Sequence, residues 1–417
     1  MDNLTAPKAL TSKLSHAYRI GTVLLQNGFA PEALPYLERA LVEARDSFDA
    51  NTIMNLGVCY RQLNRFEDAV LRLNQASYRM PDSPLVATNL GQLYEDLGLF
   101  AEALSAHQAA FRKSNVPQIA LNLATCLMRE GKFLEAWGLW EYGRTPNNWS
   151  YPNLPRWNGQ DLRDKKILIS REGGYGDVFL YMRWFRNLKE LGASVHFWVW
   201  ESAIPLLQGH PWIDELISAE EGVSLMTNEG QLRYDYHLPL MSLPAALKLE
   251  APAHPLTYIG NLIVDPEGFG RIKTIGICWF AEENTVARKH RSVPFEAVAQ
   301  LLGFSTPQWI NWIELQPTDT PSLSHPIGPN STWLDTAKAI ETCDLVIAVD
   351  TAILQLASAM GKETWALLPK RLDWKWGTKE HPFHWYSNCR YFYQEDPIAW
   401  DSVIREVSEA LRARNSQ

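Results

Sequence analysis

An aspartate that directly follows a cluster of glycines is the first place where the sequence suggests chemistry. In "REGGYGDVFLYMRW" (171–184), Gly173, Gly174 and Gly176 precede Asp177, and an apolar, aromatic run follows. Glycines permit tight turning and bring backbone close to a ligand. A carboxylate projecting from a helix start into a cleft can act as general base toward an acceptor hydroxyl or amide. It can equally do no more than cap its helix. Two further stretches have a useful composition. "AEENTVARKHRSVP" (281–294) holds Arg288, Lys289, His290 and Arg291 in succession after an apolar run. Such cations in a net-acidic chain suit an anion such as a diphosphate, or make a solvated charged loop. "DLVIAVDTAILQLASAMG" (344–361) passes from an apolar segment into Asp350, Thr351 and Ala352. A helix opening there offers unpaired N–H groups and a positive dipole end to a phosphate, with room above Ala352 and a donor on Thr351. Asp350 and Thr351 would serve as well as a plain N-cap.

The elements that must position these residues alternate. "KKILIS" (165–170) reads as a buried strand and 177–191 as a helix ending near Gly192. "SVHFWVW" (194–200) and "YDYHLPL" (234–240) read as further strands. After a Pro/Gly-rich break at 250–270 the rhythm restarts with strands at 273–280, 309–315, 344–350 and 363–369. Helical stretches at 294–303, 333–342 and 352–361 lie between them, and 398–413 closes the chain. Strands alternating with helices imply parallel sheets. The expected fold is two Rossmann-like halves, 165–260 and 261–417, facing a cleft. Ligands in such sheets bind beyond the C-terminal ends of the strands, which brings the loops 171–177, 280–293 and 350–355 to the cleft. Of the 17 tryptophans, Trp198, Trp200, Trp309 and Trp312 are expected in the core. Trp279, beside the basic loop, is the better cleft candidate, and Trp374 and Trp376 of "DWKW" are placed with it.

The first third repeats itself. "NLGVCYRQLNRFEDAVLRLNQA" (55–76) returns 34 residues later as "NLGQLYEDLGLFAEALSAHQAA" (89–110), and again as "NLATCLMREGKFLEAW" (122–137). A looser copy carries Gly21, Phe29, Ala33 and Ala40. Period and placement resemble the tetratricopeptide repeat, a helix–turn–helix unit. Small residues such as Gly57 and Ala69 let paired helices approach, and Tyr60 and Phe66 fill the adjoining space. Four such units stack into an α-solenoid over 1–144, whose groove can grip a peptide or protein, or whose surface can serve as spacer or for homo-oligomerisation. The Pro/Asn-rich stretch 145–164 reads as a linker.

Bulk properties limit the function classes. A chain of 417 residues is expected to form more than one domain. A formal charge of −8 argues against a nucleic-acid partner. The five cysteines are scattered without a C-x-x-C pair, so neither a zinc motif nor a disulfide framework is expected. No signal-peptide profile opens the chain and no apolar run approaches a membrane span, so the expected location is the cytoplasm.

In order along the chain, "LPRWNGQDL", "EGGYGDVFLYMRW", "YDYHLPLMSLP", "GICWF", "RSVP", "DTAKAIETCDLVIAVDTAILQLASAMGKETWALLP", "DWKW" and "WDSVI" resemble the bacterial tetratricopeptide-repeat glycosyltransferases. That family is related to the ADP-heptose:lipopolysaccharide heptosyltransferases and more distantly to O-GlcNAc transferase. The resemblance implies a GT-B pair of Rossmann-like domains and inverting hexosyl or heptosyl transfer from a nucleotide-sugar, with no metal and no cofactor beyond that co-substrate. It implies Asp177 as catalytic base. It implies Lys289, Arg291, Asp350, Thr351 and Ala352 at the donor phosphates, and the expected donor site also takes in Gln355, Trp279, Gly174 and Gly176. The expected acceptor is a protein held by the repeats; a glycan, lipid or small-molecule acceptor, or a silent repeat adaptor, are the alternatives. Gln355 stands where the family carries histidine.

Overall fold

The computed structural model describes residues 15–44, 49–144, 154–224, 233–250, 257–260, 272–281, 291–304, 310–316, 323–324, 326–328 and 330–415. They form two compact units. One holds the described residues up to 144 together with 370–382; the other holds 154–281, 291–369 and 383–415.

The first unit is eight helices in four antiparallel pairs: α1 His16–Gln26, α2 Ala30–Glu43, α3 Ala50–Gln62, α4 Phe66–Arg79, α5 Pro84–Asp96, α6 Phe100–Lys113, α7 Pro117–Arg129 and α8 Phe133–Gly143. The side chains of Ser15, Asp49 and Ser83 cap the first helices of three pairs, each satisfying N–H groups that a helix start leaves unpaired. The small residues act as expected. A Cβ added to Gly57 would lie 2.7 Å from Leu73 Cγ, and one on Gly21 would lie 2.8 Å from Leu37 Cγ. Each glycine therefore admits a leucine of its partner helix against the backbone. In the third repeat the glycine is Gly91 and the admitted side chain is His107, whose ring would be 2.5 Å from such a Cβ. Gly57→Ala should cost about 1–3 kcal/mol through overpacking. Urea denaturation measures it, and a loss below about 0.5 kcal/mol would contradict this packing.

The second unit carries two all-parallel sheets. The first has β1 Lys166–Ser170, β2 Ser194–Trp198, β3 Glu215–Ile217 and β4 Tyr236–Pro239 in the order β3-β2-β1-β4. The second has β5 Thr274–Cys278, β6 Asn311–Glu314, β7 Leu345–Val349, β8 Thr364–Leu368 and β9 Cys389–Tyr393 in the order β6-β5-β7-β8-β9. Every residue of β7 and β8 is buried, the consequence of helices covering both faces of a parallel sheet. The fold class is thus the expected one: helical repeats followed by two parallel-sheet α/β halves.

Four expectations are corrected. β3 and β9 were not foreseen. The expected helix 177–191 is broken into Tyr175–Tyr181, a 3₁₀ turn at Met182–Trp184, and Phe185–Glu190. The described part of the expected linker, 154–164, belongs to the first sheet's half. Its Leu154, Trp157 and Leu162 are buried, and Pro155 and Trp157 bond to the backbone of His237 on β4. Segment 370–382, expected in the C-terminal half, packs with the repeats. Arg371 pairs with Glu95 and Asp96. Trp374 packs edge-on to Phe133, Trp137 and Trp140 of α8, with ring centroids 6.3–6.5 Å apart. Trp374 and Trp376 are therefore buried beside the repeats rather than placed in a nucleotide cleft.

Candidate active site

Each sheet has one point where the chain reverses its direction of travel across the strands. In the first sheet this lies between β1 and β4, in the second between β5 and β7. Ligands of open α/β sheets bind at such switch points, outside the carboxyl ends of the strands. The loop after β1 leads into Asp177, the loop after β5 into Arg291, and the turn after β7 is Asp350–Thr351. The described residues of these three segments thus follow strands that border a switch point.

Asp177 lies in the first turn of the Tyr175–Tyr181 helix, and its Oδ2 accepts from the Gly174 N–H at 2.8 Å. It is therefore a helix cap whose carboxylate is held in a fixed orientation. The glycines divide by need. Gly173 has φ +73°, and a Cβ there would lie 2.3 Å from Asp177 Oδ2. A Cβ on Gly174 or Gly176 would meet only ordinary contacts, at 3.9 Å and 3.5 Å. The glycine that the geometry demands is Gly173. Gly173→Ala should displace Asp177 and cost about 1–3 kcal/mol. Gly174→Ala should fold like wild type, and comparing their melting curves checks both; equal melting temperatures would contradict the assignment.

The Ala352–Ala359 helix opens from Thr351, whose side chain makes no cap bond and instead donates to Val349 O at 3.1 Å. Asp350 is buried, and Arg291 Nη1 donates to its carbonyl at 2.9 Å and lies 3.9 Å from its Oδ2. A cation is thereby fixed beside this helix start. Gly176 faces Ala352 across the two halves: a Cβ on Gly176 would lie 3.5 Å from Ala352 Cα and 3.7 Å from Gln355 Cγ. Asp177, Gly174, Gly176, Arg291, Asp350, Thr351, Ala352 and Gln355 accordingly come together around two facing helix starts. Lys289 lies outside the described residues.

Trp279 does not join them. It is 6% exposed, in one core with Ile275 and Ile277, and packs against Phe295. The period of two along β5 carries Ile275, Ile277 and Trp279 to the same inward face. The exposed aromatic beside the basic loop is Phe280. Gln316 Oε1 accepts from both the Trp279 and Phe280 N–H groups at 2.9 Å and so anchors this loop. Tyr175 was also missed. Its ring lies between Trp200 and Trp333, at 4.8 and 4.9 Å, and its hydroxyl is 2.6 Å from Ser202 Oγ. Trp200 is only half-buried, against the expectation that it lies in the core; Trp198 and Trp312 are buried as expected.

Thiol chemistry is not supported. All five cysteines are free and buried. Burial pushes Cys278 up to about 11, despite a contact from Thr351 that lowers it, and pushes Cys389 up to about 12. Among the described residues, Glu95, His107 and Cys126 of the repeats are close enough to share a metal ion. They do not fit one. Glu95 already accepts from both Nη atoms of Arg129 and from Arg371, and burial drives the Cys126 thiol strongly upward. A further cation among these guanidinium groups would be repelled.

The protein thus carries helical repeats and two parallel-sheet halves that approach each other at Gly176 and Ala352. Residues 13–80 match the tetratricopeptide repeat family. The chain is similar to Protein FlbA of Caulobacter vibrioides, 24% identical over 94% of this chain, and spans 66% of that protein's length. The structure is similar to E. coli ADP-heptose lps heptosyltransferase II, at 15% identity over 60% of this chain and 99% of that one, with a TM-score of 0.44. It is also similar to a glycosyl transferase family 9 protein from Veillonella parvula, at 12% identity over 61% of this chain and 99% of that one, with a TM-score of 0.43.

Proposed function

We propose that the protein is a glycosyltransferase that moves a sugar from a nucleotide-sugar to an acceptor held by the repeats, with inversion and without a metal. The observation that carries this reading is the meeting of the two switch points. It sets a fixed carboxylate, Asp177, across from a helix start flanked by Arg291. The acceptor's nucleophilic atom attacks the anomeric carbon as Asp177 takes its proton. The bond from that carbon to the diphosphate oxygen breaks, and the electron pair leaves with the nucleoside diphosphate. Negative charge grows on that leaving group, where Arg291 and the N–H groups of Thr351 and Ala352 can stabilise it.

One observation favours a second reading of the acceptor. Repeats three and four carry the chain's own segment 370–382, through Arg371 and Trp374. Repeats used in this way are architectural, and the acceptor is then a glycan, lipid or small molecule. Release of nucleoside diphosphate from a donor panel, with peptide mixtures and with saccharide or lipid acceptors, separates the two. Release with peptides alone supports the first reading and release with saccharides or lipids alone the second. No release with any donor supports a silent adaptor.

A further inference from the structure

A buried polar chain joins the two halves of the second unit. Arg183 is 2% exposed. Its Nε donates to Leu180 O at 3.0 Å, its Nη1 to Trp385 O at 3.1 Å and its Nη2 to the Tyr258 hydroxyl at 3.4 Å. Its guanidinium lies over the rings of Tyr258, Trp385 and Tyr386. The Tyr258 hydroxyl donates to Phe179 O and sits 3.3 Å from the Tyr386 hydroxyl. The Tyr386 hydroxyl donates to Gln355 Oε1 at 2.9 Å. Gln355 is 1% exposed, and its Nε2 has no hydrogen-bond partner among the described residues.

The direction of this chain follows from what each group can do. A guanidinium only donates. The Tyr258 oxygen therefore accepts from Arg183, while its proton goes to the Phe179 carbonyl. The Tyr386 hydroxyl has two oxygens within reach, and it donates to Gln355 Oε1 at 2.9 Å rather than to the Tyr258 oxygen at 3.3 Å. A glutamine amide can ordinarily turn either end toward a hydroxyl. Here Oε1 is the end that meets Tyr386, and the NH2 is turned away from it. Gln355 is one turn into the Ala352–Ala359 helix with its Cγ toward Gly176. A buried amide N–H without an acceptor is costly, so such a group marks a place for a ligand oxygen.

We propose that Arg183, Tyr258 and Tyr386 are positioning residues that lock the Gln355 amide with its NH2 at the Gly176–Ala352 junction, as a preset donor to a diphosphate oxygen of the nucleotide. This rests on the glycosyltransferase reading above. Tyr386→Phe keeps the ring over Arg183 and removes only the hydroxyl, so it frees the amide without opening a cavity.

The test is a double-mutant cycle on the full chain with Tyr386→Phe, Gln355→Leu and the double variant, titrated with ADP, UDP, GDP and dTDP, with melting temperatures measured alongside. Tyr386→Phe should weaken binding of the preferred nucleotide by about fivefold or more, and should add nothing in the Gln355→Leu background. Wild-type affinity in Tyr386→Phe, or the same loss in both backgrounds, overturns the positioning role while the nucleotide reading stands. A wild type that binds none of the four overturns the nucleotide reading and the donor role with it.

Discussion

Asp177→Asn is expected to lower sugar transfer by about two to four orders of magnitude, the range over which a positioned general base acts, while the protein folds and binds nucleotide as wild type does. Asparagine retains an oxygen that can accept from the Gly174 N–H, so the helix cap survives and only the proton acceptor is lost. Asp177→Ala removes both, and should add about 1 kcal/mol of destabilisation to the same catalytic loss. The comparison separates the cap that Asp177 forms from the proposed role as base. Single-turnover transfer rates beside melting temperatures give the answer. Asp177→Asn turning over within about threefold of wild type would leave Asp177 as a cap alone.

Glu95→Ala is expected to have the largest effect on stability, about 3–5 kcal/mol, because it strands a buried guanidinium. Arg129 is 4% exposed and bonds to Glu95 through both Nη atoms. Arg371 bonds to the other carboxylate oxygen. Burial alone would push the Glu95 carboxyl up, but Arg129, Arg371 and His107 more than offset it and hold it at about 2. Burial pushes the neighbouring His107 down to about 4, against the pull of Glu95. At neutral pH the imidazole is therefore uncharged, and its 4.0 Å approach to Glu95 is not an ion pair. Both groups are depressed relative to the unfolded chain, so both contribute fully at neutral pH and lose their contribution on acidification. The His107 share is lost as pH falls from about 6.5 to 4, and the Glu95 share from about 4.5 toward 2. His107→Leu, which restores the residue type that Gly21 and Gly57 face, should flatten the pH dependence of stability between 6.5 and 4. Urea denaturation as a function of pH checks both variants. A Glu95→Ala loss under about 1 kcal/mol, or an unchanged slope in His107→Leu, would contradict this account of the repeats.

What could be read from the sequence was whatever repeats or alternates locally. The 34-residue period gave the helix pairs and their glycine contacts, because each contact lies within one unit. The apolar runs gave seven of the nine strands. β3 escaped because three residues with one fully buried side chain carry almost no period, and β9 because its two buried residues, Cys389 and Phe392, lie three apart and break the period of two. Trp279 was misplaced although its parity with Ile275 and Ile277 was visible; its neighbour Phe280 is the exposed ring. Trp374 was misplaced because strand–helix rhythm says nothing about which unit a long loop joins. Arg183, Tyr258 and Tyr386 meet across separations of 75 and 128 residues, and no local pattern announces such a meeting. The positions of Asp177, Arg291 and Asp350–Thr351 beyond strand ends were legible because the strands β1, β5 and β7 were themselves legible.

The claim that the two switch points form a nucleotide site is tested most directly by the melting temperature of the full chain with ADP, UDP, GDP and dTDP at millimolar concentration. A ligand present at about 100 times its dissociation constant stabilises the folded state by about 2.7 kcal/mol. The nucleotide-site reading predicts that one of the four raises the melting temperature by several degrees and that Arg291→Ala abolishes the shift. No shift with any of them, or a shift that survives Arg291→Ala undiminished, would contradict it.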